Sequence, residues 1–299
     1  MVKTWGYRVL NLKDLPALLS PNCESQDSTI ATVSNLGLVS PVAVGTVTIT
    51  AIYLGKTGSL GVTVVPAGQI RACGPQTGPG PFVLAADILS PSVLCVSFSN
   101  NIGASLDCHG FDAGSISLSN VQGFSIHNCL LHGSVTLGVG VNLSVTTGSA
   151  VTVDSTDVYG EALVQNCQNC TISNSKFAQV PANNAGIFFK GGHGNQVINN
   201  TIDGGWNGNF VSYTKVGADD GIVLEYEADD IVRGNTISNV FDAGIEEVST
   251  VAHTTTIQNN TITTAALTGI GGYYVAGWQN AEHFSLGGEA ASCRIVARR

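Results

Sequence analysis

The 299 residues are 43% hydrophobic but only 11% charged, and 36 of them are glycine; this composition excludes a disordered chain and favours many short strands joined by tight turns. A formal net charge of −9, from 12 basic and 21 acidic residues, offers no basic footprint for nucleic acid or an anionic membrane surface. No apolar run reaches the roughly 18 residues that a membrane span needs, so membrane insertion is not expected either.

The chain opens with "MVKTWGYRVLNLKDLPALLSPN", where charges and a proline interrupt the apolar stretch that a signal peptide requires. Residues 29–66, "TIATVSNLGLVSPVAVGTVTITAIYLGKTGSLGVTVVP", then alternate apolar and polar side chains in short runs broken by Gly, Asn and Pro. That is the pattern of antiparallel strands in a small sandwich. Their order resembles the C-terminal half of the group 2 bacterial immunoglobulin-like domain, which implies an exported bacterial protein. Residues 1–28 lack the strands that would complete the sandwich, so 1–68 is expected to be a partial module. The Gly/Pro cluster "CGPQTGPGP" at 73–81 reads as part of a linker over 69–81.

Beyond it the chain repeats itself. "SIHNCLLH" (125–132), "TISNSKFA" (171–178), "QVINNTID" (196–203), "IVRGNTIS" (231–238) and "TIQNNTIT" (256–263) share one template. Its last apolar residue falls at Phe111, Leu131, Val158, Phe177, Ile202, Ile237 and Ile262, in steps of 20, 27, 19, 25, 35 and 25 residues. A second marker, at Ile116, Ile187, Ile222, Ile245 and Ile270, precedes most of these. Two short strands per repeat, too close for a helical crossover, must wind as a coil of parallel strands. The repeats resemble the pectate-lyase-like superfamily, including its NosD-type members, which implies an all-β, right-handed parallel β-helix over 82–286 and leaves 287–299 as a tail. In such a coil Asn128, Asn174, Asn199 and Asn259 are expected at bends, in left-handed backbone, with amides bonded to the rungs above and below.

Stacking brings residues one repeat apart to within about 4.8 Å, so columns matter more than local motifs. Alignment on the second marker gives the columns Asn184–Asp219–Asp242, Lys190–Glu225 with Tyr273 two rungs on, and Phe188–Val223–Glu246–Gly271. Nine of the 21 acids lie within residues 219–247. Carboxylates stacked so closely must share a proton or a cation. Asp219, Glu225, Asp242 and Glu247 are therefore candidate calcium ligands, and Asp220 and Glu246 candidate acids. Alternation from Ile245 would send Glu247 inward, where a bare charge is costly; a local bulge is the simpler expectation.

The longest step contains an insertion, "GGWNGNFVSYTKVGADDG" at 204–221, expected to loop out and carry function. Trp206, Phe210 and Tyr213 would form a sugar platform there, with Lys215 and Tyr273 as further contacts. The resemblance implies a Lys or Arg base beside a calcium-neutralised uronate; Lys190 and Arg233 stand nearest the acids. "GHG" at 192–194 and "DD" at 219–220 occur in the wrong order for a polygalacturonase. A second column, Asp107, His127 and Asp154, is a weaker metal candidate. Cys167 and Cys170 form a lone CxxC among eight cysteines, without the second pair a zinc ribbon needs.

Three readings follow. The first is an exported β-helix that binds an acidic polysaccharide and, if it is also an enzyme, cleaves it as a lyase rather than a glycoside hydrolase. The second is a non-catalytic surface or adhesion protein, and the third a periplasmic metal-handling protein. One methionine and six histidines argue against copper. Oligomeric state is not legible.

Overall fold

The computed structural model describes residues 22–64, 66, 68–88, 95–133, 140–210, 216–249, 254–273 and 295–298, and no helix occurs among them. The chain divides into two compact units, Met1–Gln69 and Ile70–Arg299.

In the first unit an antiparallel sheet joins Asn22–Ser25, Gly45–Tyr53 and Lys56–Val64, beside a hairpin of Ala31–Val33 with Val39–Pro41. Leu54 and Gly55 have φ of 49° and 73°, as the two-residue turn of a right-twisted hairpin demands. Ala31, Val47, Ile49 and Val64 form its small core. Asn22–Ser25 corrects the expectation that nothing before residue 29 is a strand.

The second unit is a coil of parallel strands. Each rung passes through three sheets, as in Asp220–Glu225, Asp230–Arg233 and Thr236–Val240, before the next rung starts at Ala243–Val248. Among the described residues, sheet I (holding Asp230–Arg233) has nine strands, sheet II (holding Asp220–Glu225) ten and sheet III (holding Thr236–Val240) six. Alternation along each strand sends one set of side chains inward. Sheet I stacks Leu106, Ile126, Val153, Ile172, Val197, Val232 and Ile257 in one column. Sheet III stacks Leu131, Val158, Phe177, Ile202, Ile237 and Ile262. Sheet II carries Ile116, Leu143, Ala162, Ile187, Ile222, Ile245 and Ile270. Both periodic markers of the sequence are thus inward columns. Phe111 is an exception: Asp112 bridges Leu130, so Phe111 falls short of the column and is 36% exposed.

Residues 69–81 are not a free linker. Gln69–Ile70 and Gly74–Gln76 are strands of sheets I and II, and Cys73 is disulfide-bonded to Cys95. Ile295–Arg298 likewise pairs with Thr268–Tyr273 rather than forming a strandless tail. A second disulfide, Cys108–Cys129, ties adjacent rungs, and a third, Cys167–Cys170, ties a single bend. The two that join rungs close loops of 22 and 21 residues, worth about 3 kcal/mol each in the chain-entropy view.

The bends obey a stricter rule than the strands. Asn128, Asn174, Asn199 and Asn259 have φ of 52°, 49°, 56° and 55°, the left-handed backbone that Asn tolerates. The amides of Asn128 and Asn174 do not bond to a neighbouring Asn, however; they donate to Asp107 and Asp154. The ladder is built by the next residue, whose side chain enters the coil. Ser175 Oγ accepts from Thr156 N–H at 3.1 Å, Asn200 Oδ1 from Ser175 N–H at 3.0 Å, Asn235 Oδ1 from Asn200 N–H at 2.9 Å and Asn260 Oδ1 from Asn235 N–H at 2.9 Å. Asn200 and Asn235 also donate to the carbonyls of Ile172 and Val197. Each bend thereby receives the partner that its buried amide lacks.

Asn235→Ala should therefore lower unfolding stability by about 3 kcal/mol, since it strands buried groups on two rungs. Asn199→Ala, which alters only a bend conformation, should cost about 1 kcal/mol. Urea midpoints of the two variants test the difference.

Candidate functional site

Three sequence-expected columns exist on the outside of sheet II and its corner with sheet III. Lys190, Glu225, Val248 and Tyr273 are in register, as are Phe188, Val223, Glu246 and Gly271. At the corner, Asp219 N–H donates to Asn184 O at 2.9 Å and Asp242 N–H to Asp219 O at 2.6 Å. Below them the Asn184 amide donates to buried Glu161 at 2.6 Å, whose carboxyl burial pushes above the ordinary glutamate range.

Lys190 Nζ lies 3.0 Å from Glu225 Oε1, so its ammonium serves as a counter-charge. Glu246 is half-buried on the same face. Its burial, followed by the charges of Asp242 and Glu225, pushes its carboxyl up to about 7. Glu225 and Asp242 therefore act on Glu246 across the same outer face, with Glu246 in the proton-holding role.

The insertion contributes aromatic rings to the same corner. Trp206 packs edge-on to Phe210 at 5.3 Å and to Phe241 at 6.1 Å, and Phe210 to Phe241 at 6.3 Å. Phe210 is 63% exposed. The indole N–H donates to Asn209 O at 3.0 Å, which fixes the ring. Phe241, adjacent to Asp242, completes a cluster that sequence reasoning had assigned to the insertion alone. Its position one rung above Trp206 at the same corner was the available signal. Tyr213 and Lys215 lie outside the described residues, as does the side chain of Tyr273.

Other expected site residues fall elsewhere. Asp220 is buried and its carboxylate accepts from Ala243 N–H at 2.9 Å; it caps a strand start rather than facing solvent. Arg233 stands in the outer column of sheet I with Ile198 and Gln258, on a different sheet from Lys190. Glu247 is inside the coil at 2% exposure, stacked on Leu224 in continuous register with no bulge. The four expected calcium ligands thus do not converge: Glu247 is inside, Glu225 is at the far end of its strand, and only Asp219 and Asp242 are stacked. Among the described residues no group of three or more metal-binding side chains comes together. Asp107, His127 and Asp154 do share a column. Burial opposes ionisation of both aspartates, but hydrogen bonds from His109 N–H and Asn128, and from Asn174, Ser173 and Ser155, outweigh it and hold both below the usual aspartate range.

Inside the coil, Glu247 has company. Its Oε1 accepts from Thr255 Oγ1 at 2.8 Å. Asp230 Oδ1 accepts from Asn195 N–H at 2.7 Å, and Glu227 accepts from Gly192 N–H at 2.5 Å and the Asn195 amide at 2.7 Å. Gly192 is required there, because a Cβ would fall 2.0 Å from Cys167 O; this gives "GHG" a structural role. Asp230 is 2% exposed. Burial, then the charge of Glu227 and, more weakly, of Glu247, push it up to about 8. Glu227 is raised as well, by burial. The pair is resolved by one shared proton held on Asp230.

Residues 114–284 match the family model described as right handed beta helix region. The chain belongs to the right-handed β-helix family. Residues 22–65 match the model of the bacterial Ig-like domain, group 2. No curated protein matches the sequence significantly. Among solved structures, this β-helix protein is similar to an alginate lyase from Paenibacillus sp. str. FPU-7, with a TM-score of 0.52 and 14% identity over 75% of this chain and 85% of that one. At that identity the likeness is one of fold. The periplasmic alginate epimerase AlgG scores 0.38 at 14% identity, over 68% of this chain and 51% of its own. Tailspike protein gp49 of Acinetobacter baumannii bacteriophage Fri1, a capsular polysaccharide depolymerase, scores 0.36 at 12% identity, over 96% and 75%.

The raised Asp230 carboxyl sets a pH dependence. Between about pH 4 and 8 the folded β-helix holds a proton that the unfolded chain releases, so the stabilisation is present in acid and is lost as pH rises through 8. Thermal unfolding midpoints should fall across that window, and Asp230→Asn should flatten the fall.

Proposed function

We propose that this β-helix protein binds a polysaccharide along the corner of sheets III and II and the adjoining outer face of sheet II. One observation carries the reading: the Trp206, Phe210 and Phe241 rings stand beside Asp242, on the corner that leads to Glu246. Aromatic faces take the C–H faces of sugars while carboxylates accept their hydroxyls, the mixed lining expected of a saccharide site. The Paenibacillus lyase of the same fold acts on alginate, which supports the ligand class by analogy only. Three disulfides support an extracellular or periplasmic location.

The ligand's charge follows from the face. Lys190 is paired, and the carboxylates around Glu246 repel a polyanion unless a cation bridges them. A hydroxyl-rich, weakly charged glycan therefore fits better than the acidic one the sequence suggested. Calcium-assisted elimination finds little support, because its expected ligands are dispersed and its two candidate bases sit on different sheets. A second reading, glycoside hydrolysis, is favoured by Glu246, whose carboxyl near 7 suits a general acid. Glu246 would protonate the leaving oxygen while a neighbouring carboxylate, Asp242 or Glu225, activates water.

Tryptophan fluorescence titrations against alginate, polygalacturonate and neutral glucans test binding. The expected outcome is saturable binding to a neutral glucan, weakened about tenfold by Phe210→Ala, whose exposed ring leaves the fold intact. If no polymer binds, or Phe210→Ala binds as well as the parent, the reading fails. For hydrolysis, Glu246→Gln should cut reducing-end release about 100-fold or more without weakening binding.

A further inference from the structure

A second pair of rings occupies the same corner lower in the coil. His132 and Tyr159 stack at 4.2 Å with an interplanar angle of 24°. They follow Leu131 and Val158, which are paired in sheet III, so they project outward from adjacent rungs. The imidazole is held: His132 Nδ1 lies 2.8 Å from Asp112 Oδ2, while Asp112 Oδ1 accepts from Gly114 N–H at 2.7 Å. Asp112 is 6% exposed, whereas the His132 side chain is 43% exposed. With Nδ1 engaged by the carboxylate, Nε2 is the ring nitrogen left to hydrogen-bond a ligand. The turn behind it is fixed too, since Gly133 has φ of 63° and a Cβ there would collide with Asn142, whose amide donates to Tyr159 O.

The next residue in the Tyr159 column is Ala178. Sheet III then steps to Thr201–Asp203, which leads into Trp206. Two strand steps set Tyr159 and the Trp206 rung about 10 Å apart along the coil axis.

We propose that His132 and Tyr159, with Asp112 as the positioning residue, form a second sugar subsite, so that one glycan chain runs along the III–II corner and engages both ring clusters at once. This rests on the polysaccharide reading, but not on which polymer binds or on Glu246. Tyr159 supplies a stacking face and His132 Nε2 hydrogen-bonds a sugar hydroxyl. A short oligosaccharide reaches one cluster; a longer one bridges both and gains affinity by linkage.

The test is affinity against oligosaccharide length, using a cello-oligosaccharide ladder and an oligomannuronate ladder with the full chain, read by calorimetry. Wild-type affinity should climb with length and then level off. In Tyr159→Ala and His132→Ala the climb should be lost, leaving the long ligands about tenfold weaker and the shortest within about twofold. Asp112→Asn should give an intermediate loss, and Tyr159→Phe, which keeps the stack, should bind like the parent and report intact folding. A length dependence unchanged in Tyr159→Ala and His132→Ala overturns the second subsite while leaving the Phe210 platform standing. Failure of wild type to bind any length of either ladder overturns both.

Discussion

The structure depends on satisfying backbone amides where the coil bends. Within a strand, every N–H finds a partner in the neighbouring rung, but a bend turns the chain inward faster than the sheets can follow. Ser175, Asn200, Asn235 and Asn260 meet this need with a column of short polar side chains, each accepting from the amide of the rung beneath, the lowest of which is Thr156 N–H. The apolar columns supply most of the driving force, yet apolar burial has no direction. Register comes from the polar ladder, since a slip of one residue would bury every one of these groups unpaired.

The same coil sorts the acids into two populations with opposite consequences. On the outside, Glu225 meets Lys190, and burial together with Asp242 and Glu225 raises the Glu246 carboxyl. On the inside, Glu227, Asp230 and Glu247 lie where water is excluded and take donors from Gly192, Asn195 and Thr255, while burial raises the carboxyls of Asp230 and Glu227. Neither arrangement is visible as a cluster of letters in the sequence; what decides it is the parity of each residue within its strand.

That parity explains what could be read in advance. The steps between isoleucines revealed the coil, and counting from them set Lys190 over Glu225 and Val223 over Glu246 in the register later found. The count also sends Glu247 inward, against the bulge expected because an unpartnered buried charge is costly; the hydrogen bond from Thr255 supplies the partner. The Asn ladder was displaced by one residue for a related reason. The first Asn of each bend takes the left-handed conformation, while the second, less conspicuous one makes the bonds. Phe241 and the His132–Tyr159 pair were missed because the unequal steps of 27 and 35 residues hide which corner residues are neighbours. Arg233 was drawn to the acids by proximity in sequence, though one bend carries it onto another sheet.

The disulfides give the coil a mechanical polarity. Cys73–Cys95 and Cys108–Cys129 join successive rungs in its lower part, whereas Cys167–Cys170 closes on itself across three residues of one bend and bears no load between rungs. A tension applied along the axis would meet covalent links below Cys129. Above it, among the described residues, hydrogen bonds and the ion pairs Lys176–Asp157 and Lys190–Glu225 join the rungs. An extended polymer held at the upper corner would therefore pull on the compliant part of the molecule, with the stapled rungs acting as its fixed base.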